Sequence, residues 1–377
     1  VERSRGLGDV YKRQVYHSFL LTFGHIRTRI NIKGGPFPKV LSSGVRPQYI
    51  TCERDNLILT LTPNPSIDAT LVLSGPLTSG DVHRASEVTQ VAGGKGVNVT
   101  HAVHLAGEQT LALFPSHDSD SFLNLIHAAG LPSSATAMDG SIRVNTTITE
   151  PDGTTTKVNG PGPVLSDADA QAITSTLTAR ALAADWVVLA GSLPRGVDTD
   201  WYCELISAIR AAAPQARIAV DTSDAPMLAI GKNLESSAPD LIKPNGLELG
   251  QLTGTDGREL EAQAARGDYS GVVSAARDVV KRGIAEVLVT LGGAGAVLVT
   301  AEGAWAATPP PATVKSTVGA GDAALAGYLL GRTAGKSPAA SLARSVAYGT
   351  AAASKQGTQF PRPEEIDIAN TTVNSLA

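Results

Sequence analysis

Short apolar runs alternate with longer, Ala-rich stretches over most of this chain. The runs have the length of single strands and are Leu57–Leu61, Trp186–Ala190, Arg217–Asp221, Leu241–Lys243, Val287–Leu291 and Ala296–Thr300. The Ala-rich stretches have helical length and are Lys95–Ala106, Asp167–Ala183, Thr199–Ala213, Gly271–Arg282, Ala320–Gly331 and Pro338–Lys355. Because strands and helices alternate, the pattern predicts an α/β fold, in which helices cover a mainly parallel sheet.

Two further stretches interrupt this alternation. Thr70–Val91 and Arg143–Val158 have period-2 character and are rich in Thr and Val. The second contains Asp152-Gly153, a strong hairpin signal between two strands. We expect a small antiparallel sheet that stands apart from the main one. Such a sheet could close over a site or pair with another subunit.

The first 55 residues do not continue either pattern. They hold ten Lys/Arg against four Asp/Glu, and their hydrophobic periodicity is poor. We expect residues 1–55 to be a disordered arm or an extension foreign to the natural protein, with a targeting peptide as the alternative. The fold argument therefore concerns residues 56–377, which we expect to form one domain.

Composition narrows the classes of function. The 377 residues are 42% hydrophobic with a net charge of −4, which argues against a general nucleic-acid binder. Cys52 and Cys203 are too few for a disulfide framework, so a cytoplasmic location is expected. No apolar run reaches the ~18 residues of a membrane span.

The most informative motif runs from Thr317 to Asp322 and precedes an Ala/Leu-rich helical stretch. Its two glycines allow a tight turn, and the helix that follows directs unpaired N–H groups at whatever lies in that turn. This arrangement is typical of an anion cradle. Asp322 at its edge could take a proton from an attacking hydroxyl, or it could simply cap the helix.

Other polar motifs follow predicted strands, where ligands of α/β sheets collect. Asp68 lies in a proline-stiffened turn and could accept hydrogen bonds from sugar hydroxyls or cap that turn. Residues 93–98 read Gly-Gly-Lys-Gly-Val-Asn and open a helix, with Lys95 and Asn98 on one side. This is no Walker A loop, because Gly96 follows Lys95. A solvated helix start is the plain alternative.

Three more motifs follow later strands. Residues 191–196 offer backbone amides, the Ser192 hydroxyl and a cation. Lys243-Pro244-Asn245 leads to Glu248, and the last two could hold Mg²⁺ through water or form a capping box. Residues 290–296 contain three glycines in four positions, which suits either a nucleotide lying on bare backbone or a hairpin.

These motifs occur together in the order and approximate spacing of one family. They are Asn64-Pro65-Ser66-Ile67-Asp68, Gly93-Gly94-Lys95-Gly96-Val97-Asn98, Gly191-Ser192-Leu193-Pro194, Lys243-Pro244-Asn245 with Glu248, and Gly319-Ala320-Gly321-Asp322. With them the chain resembles the ribokinase-like, or PfkB-type, carbohydrate kinases from residue 56 to about residue 360. The resemblance implies a ribokinase-like three-layer α/β/α sandwich with a small β-sheet lid. It also implies ATP, Mg²⁺ and phosphoryl transfer to a sugar hydroxyl.

The resemblance assigns expected roles to single residues. Asp322 is the expected catalytic base, and the expected anion cradle is Gly319, Ala320 and Gly321. The residues expected to bind the sugar phosphate are Asp68, Gly94, Lys95, Asn98, Arg143 and Ser192. Those expected at the nucleotide are Lys243, Asn245, Glu248, Thr290, Leu291, Gly292, Gly293, Ala294, Gly295, Thr317, Gly321 and Gly349. Asn245 and Glu248 are also expected to lie at the magnesium ion.

Within the family the chain looks closest to the bacterial 1-phosphofructokinases. Arg143 beside Asn145 and the lid sequence carry this likeness, which implies phosphorylation of fructose 1-phosphate at O6 by a homodimer joined through its lid strands. A tagatose 6-phosphate or fructose 6-phosphate kinase, or an inactive sugar-phosphate sensor, remains an alternative. The chain departs from the family at Gly160, where we expect an acidic residue. The loss of that acidic residue could loosen the lid hinge.

Overall fold

The computed structural model describes residues 56–376, which build two separate β-sheets and the helices packed on the larger one. The expectations for residues 1–55 lie outside this range. The strands are β1 Leu57–Leu61, β2 Ser66–Leu73, β3 Ala85–Gly93, β4 Thr110–Ser116, β5 Ser133–Ala137, β6 Arg143–Thr149, β7 Thr155–Asn159, β8 Ala184–Ala190, β9 Arg217–Asp221, β10 Leu241–Ile242, β11 Glu286–Thr290, β12 Ala296–Thr300, β13 Gly303–Thr308 and β14 Thr372–Leu376. The helices are α1 Lys95–Leu105, α2 Ser121–Ala128, α3 Asp167–Ala181, α4 Trp201–Ala212, α5 Asp224–Lys232, α6 Leu234–Ser237, α7 Gly246–Thr253, α8 Gly257–Ala265, α9 Ser270–Lys281, α10 Ala320–Thr333 and α11 Pro338–Ala353.

The large sheet is mainly parallel, which confirms the predicted fold class. Its order is β14-β13-β12-β11-β10-β9-β8-β1-β4-β5, and every pair from β11 to β5 is parallel. The last three strands in the sequence add an antiparallel edge beside β11. All strands and helices named from the apolar pattern are present, with ends that differ by no more than a few residues.

Alternation along the strands divides the core into two layers. Leu59 and Leu61 face one side of the sheet with the apolar residues of α3, α4, α7 and α9, whereas Ile58 and Trp186 face the other. That second side is covered by α1, α10 and α11. Because α1 and α10 share one layer, their amino ends lie next to each other above the carboxyl ends of the strands.

The chain order reverses at β1, which lies between β4 and β8. From β1 the chain proceeds to β4 and β5 on one side, and then returns to β8 on the other. Crevices at such a switch point are the usual ligand sites of open α/β sheets. The topology therefore directs attention to the loops that follow β1, β8, β9 and β10.

The small sheet has the order β3-β2-β6-β7 and is built from the two stretches that interrupt the main pattern. It is mixed rather than wholly antiparallel, because its two hairpins meet through the parallel pair β2 and β6. β2 follows β1 and β6 follows β5, so both central strands leave the same edge of the large sheet and run in the same direction. We call these four strands the lid sheet.

None of the helices in the described range has both the length and the apolarity that a bilayer crossing requires.

Candidate active site

The amino end of α10 has the geometry of an anion cradle. Gly319 precedes the helix with φ 76°, a left-handed conformation that favours glycine. A Cβ at this position would lie 3.2 Å from Cζ of Phe360, so the turn is also crowded from behind. The first N–H groups of the helix lack intrahelical partners and lie at the positive end of the helix dipole, and that of Ala320 donates a long, 3.3 Å hydrogen bond to the carbonyl oxygen of Thr317.

Asp322 lies within the first turn of α10 and does not cap it. The helix has no side-chain cap, and the Asp322 carboxylate instead accepts a 2.7 Å hydrogen bond from Nδ2 of Asn98 on α1. The side chains of both residues are buried. The capping interpretation of Asp322 is therefore wrong, and two residues from motifs far apart in the sequence form one buried pair.

The surroundings of Asp322 suit a proton acceptor. Burial, followed by the nearby Asp221 carboxylate, raises the pKa of its carboxyl to about 6, although Lys95, Asn98 and Lys243 each act to lower it. A carboxyl with this pKa is mostly ionised at neutral pH and has a higher proton affinity than an exposed aspartate. General-base catalysis is most effective when the pKa lies near the working pH.

Two predicted lysines meet at a carboxylate that the sequence motifs do not include. Nζ of Lys95 lies 2.8 Å from Oδ1 of Asp221, and Nζ of Lys243 lies 3.1 Å from Oδ2. Burial alone would raise the pKa of Asp221, but the two ammonium groups hold it below its ordinary value. The only sequence feature that indicates a role for Asp221 is its position at the end of a buried strand, at the carboxyl edge of the sheet.

Lys243 also lies close to the cradle. A Cβ at Gly321 would lie 3.4 Å from its Nζ, so the ammonium group is at the amino end of α10. Asn98, Asp322, Lys95, Asp221 and Lys243 form a continuous polar group, which we call the buried ionic cluster. It brings together residues from α1, α10, β9 and the segment after β10.

A second polar group lies where the lid sheet leaves the large sheet. Asp68 accepts hydrogen bonds from Ser66 at 2.8 Å and from Asn145 at 3.2 Å, and Asn145 is its direct partner across β2 and β6. Burial raises the pKa of Asp68, while these two hydrogen bonds and the charge of Arg143 oppose the rise.

Arg143 completes this second group. One of its terminal nitrogens lies 3.3 Å from the carbonyl oxygen of Asn64 and 3.5 Å from the hydroxyl of Ser192. The Asn64 amide in turn donates to Ser192 at 3.2 Å, so Asn64 links the lid to the loop after β8. Asn64 stands in the same sequence motif as Asp68, but its pattern alone predicts no role for it. We call Asn64, Asp68, Arg143, Asn145 and Ser192 the lid-base group.

Three buried polar atoms of the lid-base group have no hydrogen-bond partner within the described part of the chain. They are Oδ1 of Asn64, Nε of Arg143 and Oδ1 of Asn145. Buried polar atoms are nearly always paired, because leaving one unpaired costs about 1–3 kcal/mol. Unpaired atoms in one cluster are consistent with a polar ligand that binds there.

Gly94, which is predicted to bind the substrate, and Gly160, where an acidic residue is expected from the family, have different surroundings. Gly94 precedes α1 with φ 112° and leads directly into Lys95. Gly160 donates from its N–H to the carbonyl oxygen of Val144 at 3.0 Å. A Cβ at Gly160 would lie 2.9 Å from that oxygen and 3.2 Å from Cβ of Arg143. The lid hinge is therefore tightly packed around this glycine.

Asn245 and Glu248 form the capping box of α7. Asn245 accepts from the N–H of Glu248 at 2.8 Å, and Glu248 accepts from the N–H of Asn245 at 2.9 Å through Oε2. Burial raises the pKa of Glu248. Its other carboxylate oxygen is not used by the cap. Between residues 56 and 376, no group of three or more His, Cys, Asp or Glu has metal-site geometry.

The glycine-rich motif of residues 290–295 forms the turn between the antiparallel strands β11 and β12. Thr290 bridges to Asn245, so this turn begins beside α7. The turn continues through Leu291, Gly292, Gly293, Ala294 and Gly295.

The two other residues predicted at the nucleotide lie near α10. Thr317 lies in the loop before α10, and Gly349 lies on α11, where a Cβ would be 3.2 Å from the carbonyl oxygen of Ala320. Gly349 thus packs behind the cradle.

Comparison with known proteins identifies the family to which this chain is similar. The family model described as "pfkB family carbohydrate kinase" matches residues 62–365. A 1-phosphofructokinase of Rhodobacter capsulatus is 35% identical over 328 residues, which cover 84% of this chain and 96% of that protein. A 1-phosphofructokinase of Bacillus subtilis is 30% identical over 277 residues, covering 73% and 85%. The solved structure of phosphofructokinase-2 from Escherichia coli in complex with fructose-6-phosphate has a TM-score of 0.70 and 26% identity, covering 78% and 93%.

Proposed function

The chain belongs to the pfkB family of carbohydrate kinases, and from this premise we propose that it transfers a phosphoryl group from ATP to O6 of fructose 1-phosphate. A kinase of this family is a phosphotransferase with an alcohol group as acceptor, and it uses ATP as a substrate. The product of the proposed reaction is fructose 1,6-bisphosphate. The 1-phosphofructokinases at 30–35% identity support this choice of substrate.

The observation that carries the proposal is the position of Asp322. Its buried carboxylate lies in the first turn of a helix whose amino end forms an anion cradle. An acceptor hydroxyl beside Asp322 would lose its proton to the carboxylate as its oxygen attacks the phosphoryl group. The backbone N–H groups of Gly319, Ala320 and Gly321 would then stabilise the charge that develops on the transferred group.

The cationic members of the two polar groups have complementary roles in this proposal. Lys95 and Lys243 lie at the cradle and would bind the phosphoryl group as it passes from ATP to the sugar hydroxyl and leaves ADP. Arg143 would bind the phosphate already present on the sugar, because a guanidinium fork matches phosphate oxygens. Asp68, Gly94, Asn98 and Ser192 would bind and orient the sugar. The segment from Thr290 to Gly295, with Thr317 and Gly349, would line the nucleotide pocket.

The residues around α7 are compatible with Mg²⁺. Mg²⁺ usually keeps several waters and binds through one or two carboxylates and the phosphates of its nucleotide. Glu248 offers the carboxylate oxygen that the capping box leaves unused, and Asn245 lies beside it. The ion would neutralise phosphate charge. Glu248 and Asn245 would orient the water ligands of the ion. A site of this kind needs no second acidic side chain.

A panel of sugar phosphates tests the substrate. With ATP, we expect kcat/KM for fructose 1-phosphate to exceed that for fructose 6-phosphate and tagatose 6-phosphate by about 10²-fold or more, as for a site built around one phosphate position. A coupled assay that follows ADP gives the three values. Preference for either 6-phosphate would overturn the proposed substrate and leave the kinase assignment intact. Binding of the sugar phosphates without ADP formation would instead indicate a sensor.

We also propose that two copies associate through the lid sheet. Val88 and Val158 are each 59% exposed and Val144 is 43% exposed. Their register places all three on the face opposite Asp68 and Asn145. The face is apolar, and the edge strands β3 and β7 have no further partner strand in the described sheet, so a second lid could cover it.

Sedimentation velocity tests this assembly. Val158→Glu should convert the dimer to monomers, because a charge would be buried in the proposed contact. Leu182→Glu is the matched control, since Leu182 is also 59% exposed but lies at the end of α3. Equal sedimentation of Val158→Glu and the unmodified protein would exclude the lid contact.

We further propose that the kinase domain covers residues 56–377 and works in the cytoplasm, where ATP is available.

A further inference from the structure

Asp221 is the one carboxylate of the buried ionic cluster that contacts both lysines. Its side chain is fully buried, while that of Lys243 is 6% exposed and that of Lys95 is 34% exposed. The two lysines come from motifs about 150 positions apart, one at the start of α1 and one after β10. A single buried anion therefore fixes two cations that no backbone element connects directly.

The sheet itself fixes the position of Asp221. It is the last residue of β9, which pairs with β8 on one side and β10 on the other. Its carbonyl oxygen accepts from the N–H of Gly191 at 2.9 Å, at the end of β8. The backbone of Asp221 is thus held by a neighbouring strand on each side. Its carboxylate contacts the two lysines at the carboxyl edge of the sheet.

Two lysines at one cradle would repel each other without an intervening anion. Each ammonium group stands at the end of a flexible four-carbon side chain, so its position depends on what it contacts. The Asp221 carboxylate offers one oxygen to each, at 2.8 Å to Lys95 and 3.1 Å to Lys243. Because Asp221 is fully buried, water does not screen this contact as it would at the surface.

We propose that Asp221 is a positioning residue for phosphoryl transfer, which holds the ammonium groups of Lys95 and Lys243 at the cradle before the substrates bind. This inference rests on the proposed function, since it assigns both lysines to the phosphates. Asp221 need not contact the sugar or the nucleotide. It acts through the two lysines, and through its charge on Asp322.

The effect on Asp322 gives a readout that a purely structural residue would not change. The ionisable groups facing Asp322 are Asp221 at the end of β9, Lys95 on α1 and Lys243 after β10, while Glu248 on α7 acts on Lys95. Asp221 raises the pKa of Asp322, and the two lysines lower it. Replacing Asp221 by a neutral residue should therefore lower the pKa of Asp322 and move the acid limb of activity to lower pH.

The main experiment compares Asp221→Asn with the unmodified protein across the pH range 5–9, with fructose 1-phosphate and ATP. We expect kcat at pH 8 to fall about 10²-fold, the scale seen when reacting groups are misplaced by about 1 Å. We also expect the acid limb of kcat/KM to move to lower pH. A kcat within threefold of the unmodified value, or a loss of kcat with the acid limb unmoved, would overturn the proposal.

Asp240→Asn is the matched control. Asp240 pairs with Arg210 at 2.7 Å and accepts from the N–H of Ile218, but it lies before β10, at the opposite edge of the same strands. Its removal should leave kcat within about twofold and the acid limb in place, as for most substitutions away from a functional site. Equal effects of Asp221→Asn and Asp240→Asn on both quantities would mean that Asp221 only stabilises the fold.

Two further measurements keep the test decisive. If Asp221→Asn does not fold, Asp221→Glu retains the charge with a longer arm, and we expect a lower kcat with an unmoved acid limb. Full kcat in Asp221→Glu would count against positioning. Lysine ammonium NMR needs no turnover: two immobilised ammonium signals should be lost in Asp221→Asn and kept in Asp240→Asn. If the unmodified protein does not phosphorylate fructose 1-phosphate, the proposed function fails, and these signals still decide the role of Asp221.

Discussion

The buried ionic cluster and the lid-base group differ in how completely their polar atoms are paired. In the cluster, Asp322 has its Asn98 partner and Asp221 has two lysines, all in contact before any ligand binds. In the lid-base group, Asn64, Arg143 and Asn145 each keep a buried polar atom without a partner in the described chain. Every charged group of the cluster has a partner within the protein, although Oδ2 of Asp221 has only its ion pair with Lys243 and no hydrogen bond. The lid-base group keeps three buried polar atoms that a ligand could pair.

This difference separates the chemistry of transfer from the choice of substrate. A prearranged cluster stabilises developing charge without reorganising during the reaction. Unpaired groups instead favour the one ligand that satisfies them and reject a ligand that leaves them unpaired. We therefore expect changes in the ionic cluster to lower kcat with every substrate, and changes in the lid-base group to alter the ranking of substrates.

The largest expected effect is that of Asp322→Asn. The variant keeps the shape of the side chain but cannot act as a base at neutral pH, so kcat should fall about 10²–10⁴-fold. ATP affinity measured by calorimetry should stay within about threefold, because the cradle amides are unchanged. Similar losses with all tested sugar phosphates would support the division of roles. Near-normal turnover would remove Asp322 from the chemistry altogether.

The next effect concerns Arg143→Met, which removes the guanidinium of the lid-base group and keeps most of its length. We expect kcat/KM for fructose 1-phosphate to fall about 10–100-fold, the scale of a lost charge-assisted hydrogen bond. The fall should appear mainly in KM. Arg84→Met is the control, because Arg84 is an exposed arginine just before β3. A change in kcat alone would place Arg143 with the ionic cluster and break the comparison.

The two groups were not equally predictable from the sequence. Lys95, Asn98, Asp322 and Lys243 lie in glycine- or proline-marked motifs at strand and helix ends, and their positions follow from the α/β topology. Asp221 was assigned only to a strand, because one aspartate after an apolar run carries no local signal. Its partners are 126 and 22 positions away, and only tertiary packing brings them together.

The lid sheet shows a different limit. Its hairpin signal at Asp152-Gly153 was sufficient to locate β6 and β7, but the parallel pairing of β2 with β6 was not predicted. That pairing depends on where both strands leave the large sheet. Helices α5 and α8 and the edge strands β13 and β14 were also not predicted, because their apolar patterns are short or interrupted.

A third prediction concerns the stability of the ionic cluster. The carboxyl of Asp322 has a pKa of about 6 in the folded protein and an ordinary value of 3.8. Between these values the folded state binds the proton more tightly than the unfolded state, so ionisation of Asp322 lowers stability as pH rises through this window. Asp322→Asn lacks this ionisation. It should be more stable than the unmodified protein at pH 8, by at most about 3 kcal/mol, and nearly equal at pH 4.

Urea unfolding of both proteins at the two pH values measures the difference. All other titrating groups are shared, so their contributions largely cancel in the comparison. A gain at pH 8 together with a loss of turnover would show that the cluster holds a base at the expense of stability. Equal stability at both pH values would mean that the Asp322 charge is already compensated, and the two groups would then differ less than we infer.

The smallest expected effect is at Gly160, which lies against the lid-base group. A Cβ there would lie 2.9 Å from the carbonyl oxygen of Val144 and 3.2 Å from Cβ of Arg143. Gly160→Ala should therefore displace the start of β6 slightly and raise KM for fructose 1-phosphate about 2–5-fold, with a stability loss of about 1 kcal/mol. Turnover at saturation should not change, because the ionic cluster is not touched.

Gly160→Glu adds a carboxylate beside Arg143 to the same crowding, so its KM should rise further, to about tenfold, through competition with the sugar phosphate. Gly75→Glu is the matched control, since nothing lies within 4 Å of a Cβ at Gly75 in the loop between β2 and β3. If Gly160→Glu left KM unchanged, the hinge would have room for the acidic residue expected from the family. If it lowered kcat instead, lid geometry would act on the chemistry itself, and the two groups could no longer be treated as separate.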